Sequence, residues 1–121
     1  MHRIAILVEY PTVNGGENSM LAVLRHLLAA QAAPCGFEFC VLGPAEGAMA
    51  ERVSELGLPI TRLELFDEAG FRLSKDLAIP RILEAAVTSG GDLVHGNSLA
   101  MGRLLGAAAR EHPQLVVTSH L

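Results

Sequence analysis

Short apolar runs alternate along the chain with longer segments in which apolar positions recur every three or four residues. Residues 3–9 (RIAILVE) are β-branched and almost continuously apolar, the pattern of a strand covered on both faces in the middle of a parallel sheet. Residues 10–18 (YPTVNGGEN) are dense in turn formers and predict a loop. Met20, Leu21, Leu24, Leu27 and Leu28 then recur at helical spacing, with Arg25 on the other face. Residues 37–42 (FEFCVL) read as a second strand, broken by Gly43 and Pro44, and Met49, Val53 and Leu56 mark a helix closed by Gly57. A third strand over 59–65 (PITRLEL) belongs near an edge, because Arg62 and Glu64 interrupt it. Residues 66–73 predict a loop and 74–88 a helix, with Pro80 at a break or in the first turn. A fourth strand (92–95, DLVH), a helix opened by Ser98 and running to about Glu111, and a fifth strand (114–119, QLVVTS) complete the series.

Strict alternation of five strands and four helices predicts an α/β, Rossmann-like three-layer sandwich: a parallel sheet with helices on both faces. Right-handed crossovers and the least polar strand at the centre give the order 3-2-1-4-5. In that order the chain reverses between strands 1 and 4, and their carboxyl ends flank the crevice where such folds bind ligands. Two loops are therefore privileged, 9–18 and 95–98.

Composition narrows the class. Half of the 121 residues are hydrophobic and 18% are charged, which excludes a disordered chain and fits a single domain over 1–121. Nine basic against thirteen acidic residues leave a net charge of −4, and no run of Arg or Lys supplies the footprint of a nucleic-acid binder. Cys35 and Cys40, spaced C-x4-C, are neither a redox pair nor half of a zinc site and read as reduced core thiols of a cytoplasmic protein. No apolar stretch reaches the length of a membrane span.

Candidate chemistry collects at the privileged loops. Gly15 and Gly16 stand before a helix, where glycine permits φ > 0 and close ligand approach, and where a helix N-terminus binds phosphate. A Gly pair is also an ordinary strand-to-helix turn, and neither GxGxxG nor GxxxxGK[ST] is present. His95 ends strand 4 and His120 follows strand 5, so both belong at the carboxyl edge, where an imidazole can orient a hydroxyl or meet developing charge. His2, His26 and His112 read as solvated. Glu9 and Glu17, and Glu38 and Glu46, are separated by seven residues each, but neither pair falls on one helix, so the spacing carries no chemistry.

The run RIAILVEYPTVNGGENSMLAVLRHL, the strand at 36–42, DLVHGNS and the closing VVTSH together resemble the N-terminal, Rossmann-like half of family 4 glycosyltransferases of the GT-B fold. The family usually carries Gly-Gly-Ala-Glu where this chain has Gly15-Gly16-Glu17-Asn18, and a second His where this chain has Asn97. The resemblance implies a hexosyltransferase-type reaction that takes a sugar from a nucleotide-sugar donor with retention of configuration, and no metal or other cofactor. It implies that Gly15 and Gly16 lie near the donor diphosphate, that His120 faces the reacting sugar, and that His95 and Asn97 contact a sugar or lipid-linked acceptor. It also implies that the chain is the acceptor-side half of a two-domain enzyme, incomplete at its C-terminus and inactive without a donor-binding domain. A lipid-linked acceptor would bring the protein to the inner membrane surface, and strand 5 as an open edge would invite self-association. Two other readings share the architecture: a flavodoxin-like binding or signalling module, such as a phosphoacceptor receiver, and a non-catalytic interaction fragment.

Overall fold

The computed structural model describes residues 2–30 and 36–119. These form five strands and four helices in strict alternation: β1 (His2–Leu7), α1 (Gly15–Ala30), β2 (Phe37–Gly43), α2 (Ala48–Glu55), β3 (Ile60–Arg62), α3 (Lys75–Ser89), β4 (Leu93–Gly96), α4 (Leu99–Glu111) and β5 (Val117–Ser119). All pairings are parallel, and the order is the expected β3-β2-β1-β4-β5.

The pleat of β1 divides the core. Ala5 and Leu7 point to one face and pack with Cys40, Leu42 and Val94 against Ile82 of α3 and Leu105 of α4. Ile6 and Val8 point to the other and meet Leu21 and Leu24 of α1 with Met49 and Val53 of α2. A strand apolar at consecutive positions requires such double coverage, which is why β1 sits at the centre. The edge strands β3 and β5 have three residues each. β3 is shorter than the predicted 59–65: beyond Arg62 the chain leaves the ladder, with Leu63 N–H still bonded to Gly43 O at 2.9 Å.

Two further local expectations are corrected. The first helix begins at Gly15, so the Gly pair forms its first turn rather than the loop before it. Pro80 neither breaks α3 nor lies in its first turn; the helix runs through it, held by buried Ala78, Ile79 and Ile82. The expected loop over 66–73 is a closed turn: Phe66 and Arg72 form an isolated antiparallel bridge, and Asp67 Oδ1 accepts from Ala69 N–H (3.0 Å) and Phe71 N–H (2.8 Å).

Cys40 is a free, buried thiol, as expected, while Cys35 lies outside the described residues. Burial pushes the Cys40 thiol above its ordinary pKa of 9.0, against smaller opposing effects of Ser89 and Arg3. The thiolate is thus favoured in the unfolded chain, so stability is intact below the ordinary thiol pKa and falls as pH rises through it. In a Cys35→Ser background, a thiol-disulfide reagent is expected to modify Cys40 at least ~100-fold more slowly in buffer than in denaturant. Equal rates would place the thiol at the surface.

Candidate functional site

The carboxyl ends of β1 and β4 are neighbours, in register from Ile4↔Leu93 to Leu7↔Gly96, and each feeds the N-terminus of a helix. Asn14 O accepts from Asn18 N–H at 2.9 Å and opens α1; Ser98 is the N-cap of α4, its hydroxyl accepting from Met101 N–H at 3.1 Å. Gly96 allows α4 to lie this close to the sheet, since a Cβ there would sit 3.1 Å from Gly102 N and Met101 C. Between the two helix starts lies a crevice of about 160 Å³, lined among others by Glu9, Tyr10, Asn14, Glu17, Asn97 and Ser98. Aligned peptide dipoles at both starts favour an anion there, while the Glu9 and Glu17 carboxylates in the same lining oppose one.

Gly15 and Gly16 form the exposed first turn of α1. Neither has positive φ, so the conformational reason expected for the pair does not apply. Nor do neighbours exclude a side chain: a Cβ on Gly15 would meet nothing within 4 Å, and one on Gly16 would lie 3.8 Å from Asn97 O. Their missing side chains leave the helix amides bare toward solvent.

Asn97 is buried and donates from Nδ2 to Gly16 O at 3.2 Å, tying the end of β4 to the first turn of α1. His95 is turned elsewhere. Register places it level with Ile6 and Thr118, on the sheet face that α1 and α2 share, with Nδ1 2.8 Å from Thr118 Oγ1. It does not line the crevice. His120 lies outside the described residues. Of the other histidines, His2 and His26 are exposed and His112, at the C-cap of α4, is half-buried.

Sequence reasoning missed Glu9 and its surroundings. The residue is 7% exposed at the mouth of β1, with the Arg72 guanidinium against Oε2 in an orientation that makes an ion pair but no aligned hydrogen bond. Tyr10 stacks on Phe66 at 5.4 Å between centroids, and Arg72 lies over the same Phe66 ring at 5.8 Å. The 66–72 turn is thereby fastened to Glu9 and Tyr10, two residues of the crevice lining. A charged residue closing an apolar strand was the available signal for Glu9; nothing local marked Arg72 as its partner. Glu17 accepts from Asn14 Nδ2 at 3.3 Å in the first turn of α1, where its charge suits the helix dipole. Among the described residues no three His, Cys, Asp or Glu side chains are grouped to hold a metal ion, and no helix is long and apolar enough to cross a membrane.

Comparison with known proteins agrees with this architecture. Two solved structures share the fold: HepE of Anabaena, solved in complex with UDP and glucose (TM-score 0.66, 17% identity), and MurG of Acinetobacter baumannii (TM-score 0.62, 17% identity). The first alignment covers 100% of this chain and 30% of HepE, the second 98% and 34% of MurG, so the chain spans about a third of either protein. No curated protein matches significantly. The family model of the glycosyl transferase 4-like domain matches residues 20–121, most of the strand–helix series described above, and the chain belongs to that family.

Proposed function

We propose that this domain is the acceptor-side half of a retaining glycosyltransferase that takes a sugar from a nucleotide-sugar donor. The observation that carries the reading is the placement of two helix starts beside the crevice at the reversal of the sheet: Asn14 and Glu17 of the α1 start, which flank side-chain-free Gly15 and Gly16, and Ser98 of the α4 start line it. As the bond from sugar to diphosphate breaks, negative charge grows on the leaving oxygen. Backbone amides already aimed at that point stabilise it without reorganising. Gly15 and Gly16 take the donor diphosphate in this reading. Asn97 holds the Gly16 turn in place and presents its remaining amide oxygen to the acceptor; His95, outside the crevice lining and bonded to Thr118, has no contact in this reading. His120 faces the reacting sugar.

The complex of HepE with UDP and glucose supports a nucleotide-sugar donor. Most of the positioning that transfer requires would come from a second, donor-binding domain, so the 121 residues alone are inactive in this reading.

An amide NMR titration with uridine, guanosine and adenosine diphosphate sugars tests it. Shifts are expected at Asn14, Gly15, Gly16 and Glu17, and Gly16→Val, which covers the amides with a branched side chain, should weaken binding by about tenfold. The donor role is lost if the folded variant binds as tightly as the parent chain.

A further inference from the structure

The crevice lining holds two carboxylates, Glu9 and Glu17, and no basic side chain. Both charges are already met. Glu17 stands in the first turn of α1, where the helix dipole favours it, and accepts from Asn14 Nδ2. Buried Glu9 has the Arg72 guanidinium against Oε2. What Glu9 lacks is hydrogen bonds: Oε2 is fully buried without an aligned donor, and Oε1 accepts from no described residue yet is not fully buried. The crevice is the open space that Glu9 lines. A carboxylate can accept about four hydrogen bonds, so one neutralised by an ion pair but short of donors is matched by an uncharged O–H, not by a second cation. Ser98, in the same lining, accepts from Met101 N–H and keeps its hydroxyl proton to give. Carboxylate acceptor and hydroxyl donor together match a group that both donates and accepts, as an alcohol does.

We propose that Glu9 is a specificity-determining residue of this site, its Oε1 accepting from a hydroxyl of an uncharged polyol, and that Arg72 is a positioning residue which holds the carboxylate for that contact. Arg72 is itself held. Its guanidinium lies over the Phe66 ring and its Nη2 is 3.4 Å from Tyr10 Oη, so the oxygen it grips is fixed and the other is left for the ligand. A ligand without the hydroxyl leaves a buried carboxylate short of a partner, which is how such a site discriminates. An anionic group in the same place would meet both carboxylates. That the hydroxyl belongs to the acceptor rests on the function proposed above; that Glu9 reads a hydroxyl does not.

The test is an amide NMR titration of the chain, in slightly acidic buffer, with glucose, glucosamine and glucuronate, one ring in neutral, cationic and anionic form. Glucose is expected to shift Glu9, Tyr10, Asn97 and Ser98, glucosamine to bind no more tightly, and glucuronate to bind at least about tenfold more weakly. Glu9→Gln, which keeps the shape, should weaken glucose by at least about tenfold. Arg72→Met should weaken it too, yet cost nothing further when added to Glu9→Gln, because it acts through the carboxylate. No glucose shift, unchanged affinity of folded Glu9→Gln, or glucosamine tighter by tenfold overturns the proposal, the last by making the site an ammonium site. Additive losses in the double variant overturn the positioning role of Arg72. Should Glu9→Gln fail to fold, Glu9→Asp, which keeps the charge and withdraws the oxygen, gives the same comparison. Glucose binding that persists when no nucleotide sugar shifts Gly15 or Gly16 upholds Glu9 and overturns only the donor reading.

Discussion

His120→Ala, in a chain joined to a donor-binding domain, is expected to lower kcat by at least ~100-fold while the fold stays intact, the scale of lost acid–base or electrostatic help at a reacting centre. The residue follows β5 directly in sequence, and register sets the end of β5 level with the end of β4, Ser119 opposite Gly96. The chain therefore reaches the carboxyl edge of the sheet at Ser119. A group that acts only as charge develops should cost turnover far more than substrate affinity, so kcat should fall while KM moves little. Measuring both parameters with the nucleotide-sugar donor, and circular dichroism of the variant, separates that outcome from misfolding. A kcat within a few-fold of the parent enzyme would remove His120 from the reaction.

The second large effect is expected at Gly47, outside the crevice lining. Gly47 caps α2 with φ 109° and ψ −176°, a region that only glycine occupies without strain. A Cβ there would also fall 2.8 Å from Pro11 O, the carbonyl that accepts from Met49 N–H at 2.9 Å and fastens the loop after β1 to α2. Gly47→Ala is therefore expected to destabilise the domain by about 2–4 kcal/mol, from backbone strain and a clash with main chain that has no rotamer to yield. Urea unfolding measures it, and a loss below about 0.5 kcal/mol, the size of an ordinary surface substitution, would show that the loop relaxes freely. Because that loop carries Tyr10 and Asn14 to the crevice, ligand affinity should fall along with stability.

How far the fold could be read ahead depended on whether the information was local. The unbroken apolar run into β1 demanded two covered faces, and Arg62 with Glu64 marked an edge; those facts set the sheet order. Helix starts were less legible. A Gly pair suits a loop on propensity, yet Asn14 supplies the opening carbonyl and Gly15 and Gly16 take helical dihedrals, a choice made by α1 packing on the sheet. The least legible parts joined residues distant in sequence. Glu9 meets Arg72, and Arg72 also reaches Tyr10 and the Phe66 ring. Similarly, the seven-residue gap between Glu9 and Glu17 carried nothing as a spacing, but the crevice still brings both carboxylates to its lining. Asn97 was read as an acceptor contact, and its Nδ2 turns out to brace the Gly16 turn.

The central place of β1 also has a consequence for synthesis on the ribosome. One edge of β1 can pair as soon as β2 has emerged, whereas the other waits for β4, about fifty residues later. At roughly 5–20 residues per second that interval lasts about 3–10 s, during which the most apolar strand of the domain has an open hydrogen-bonding edge. The nascent chain is thus most vulnerable to mispairing between the completion of α2 and the arrival of β4, and a chaperone would have its longest opportunity in that window.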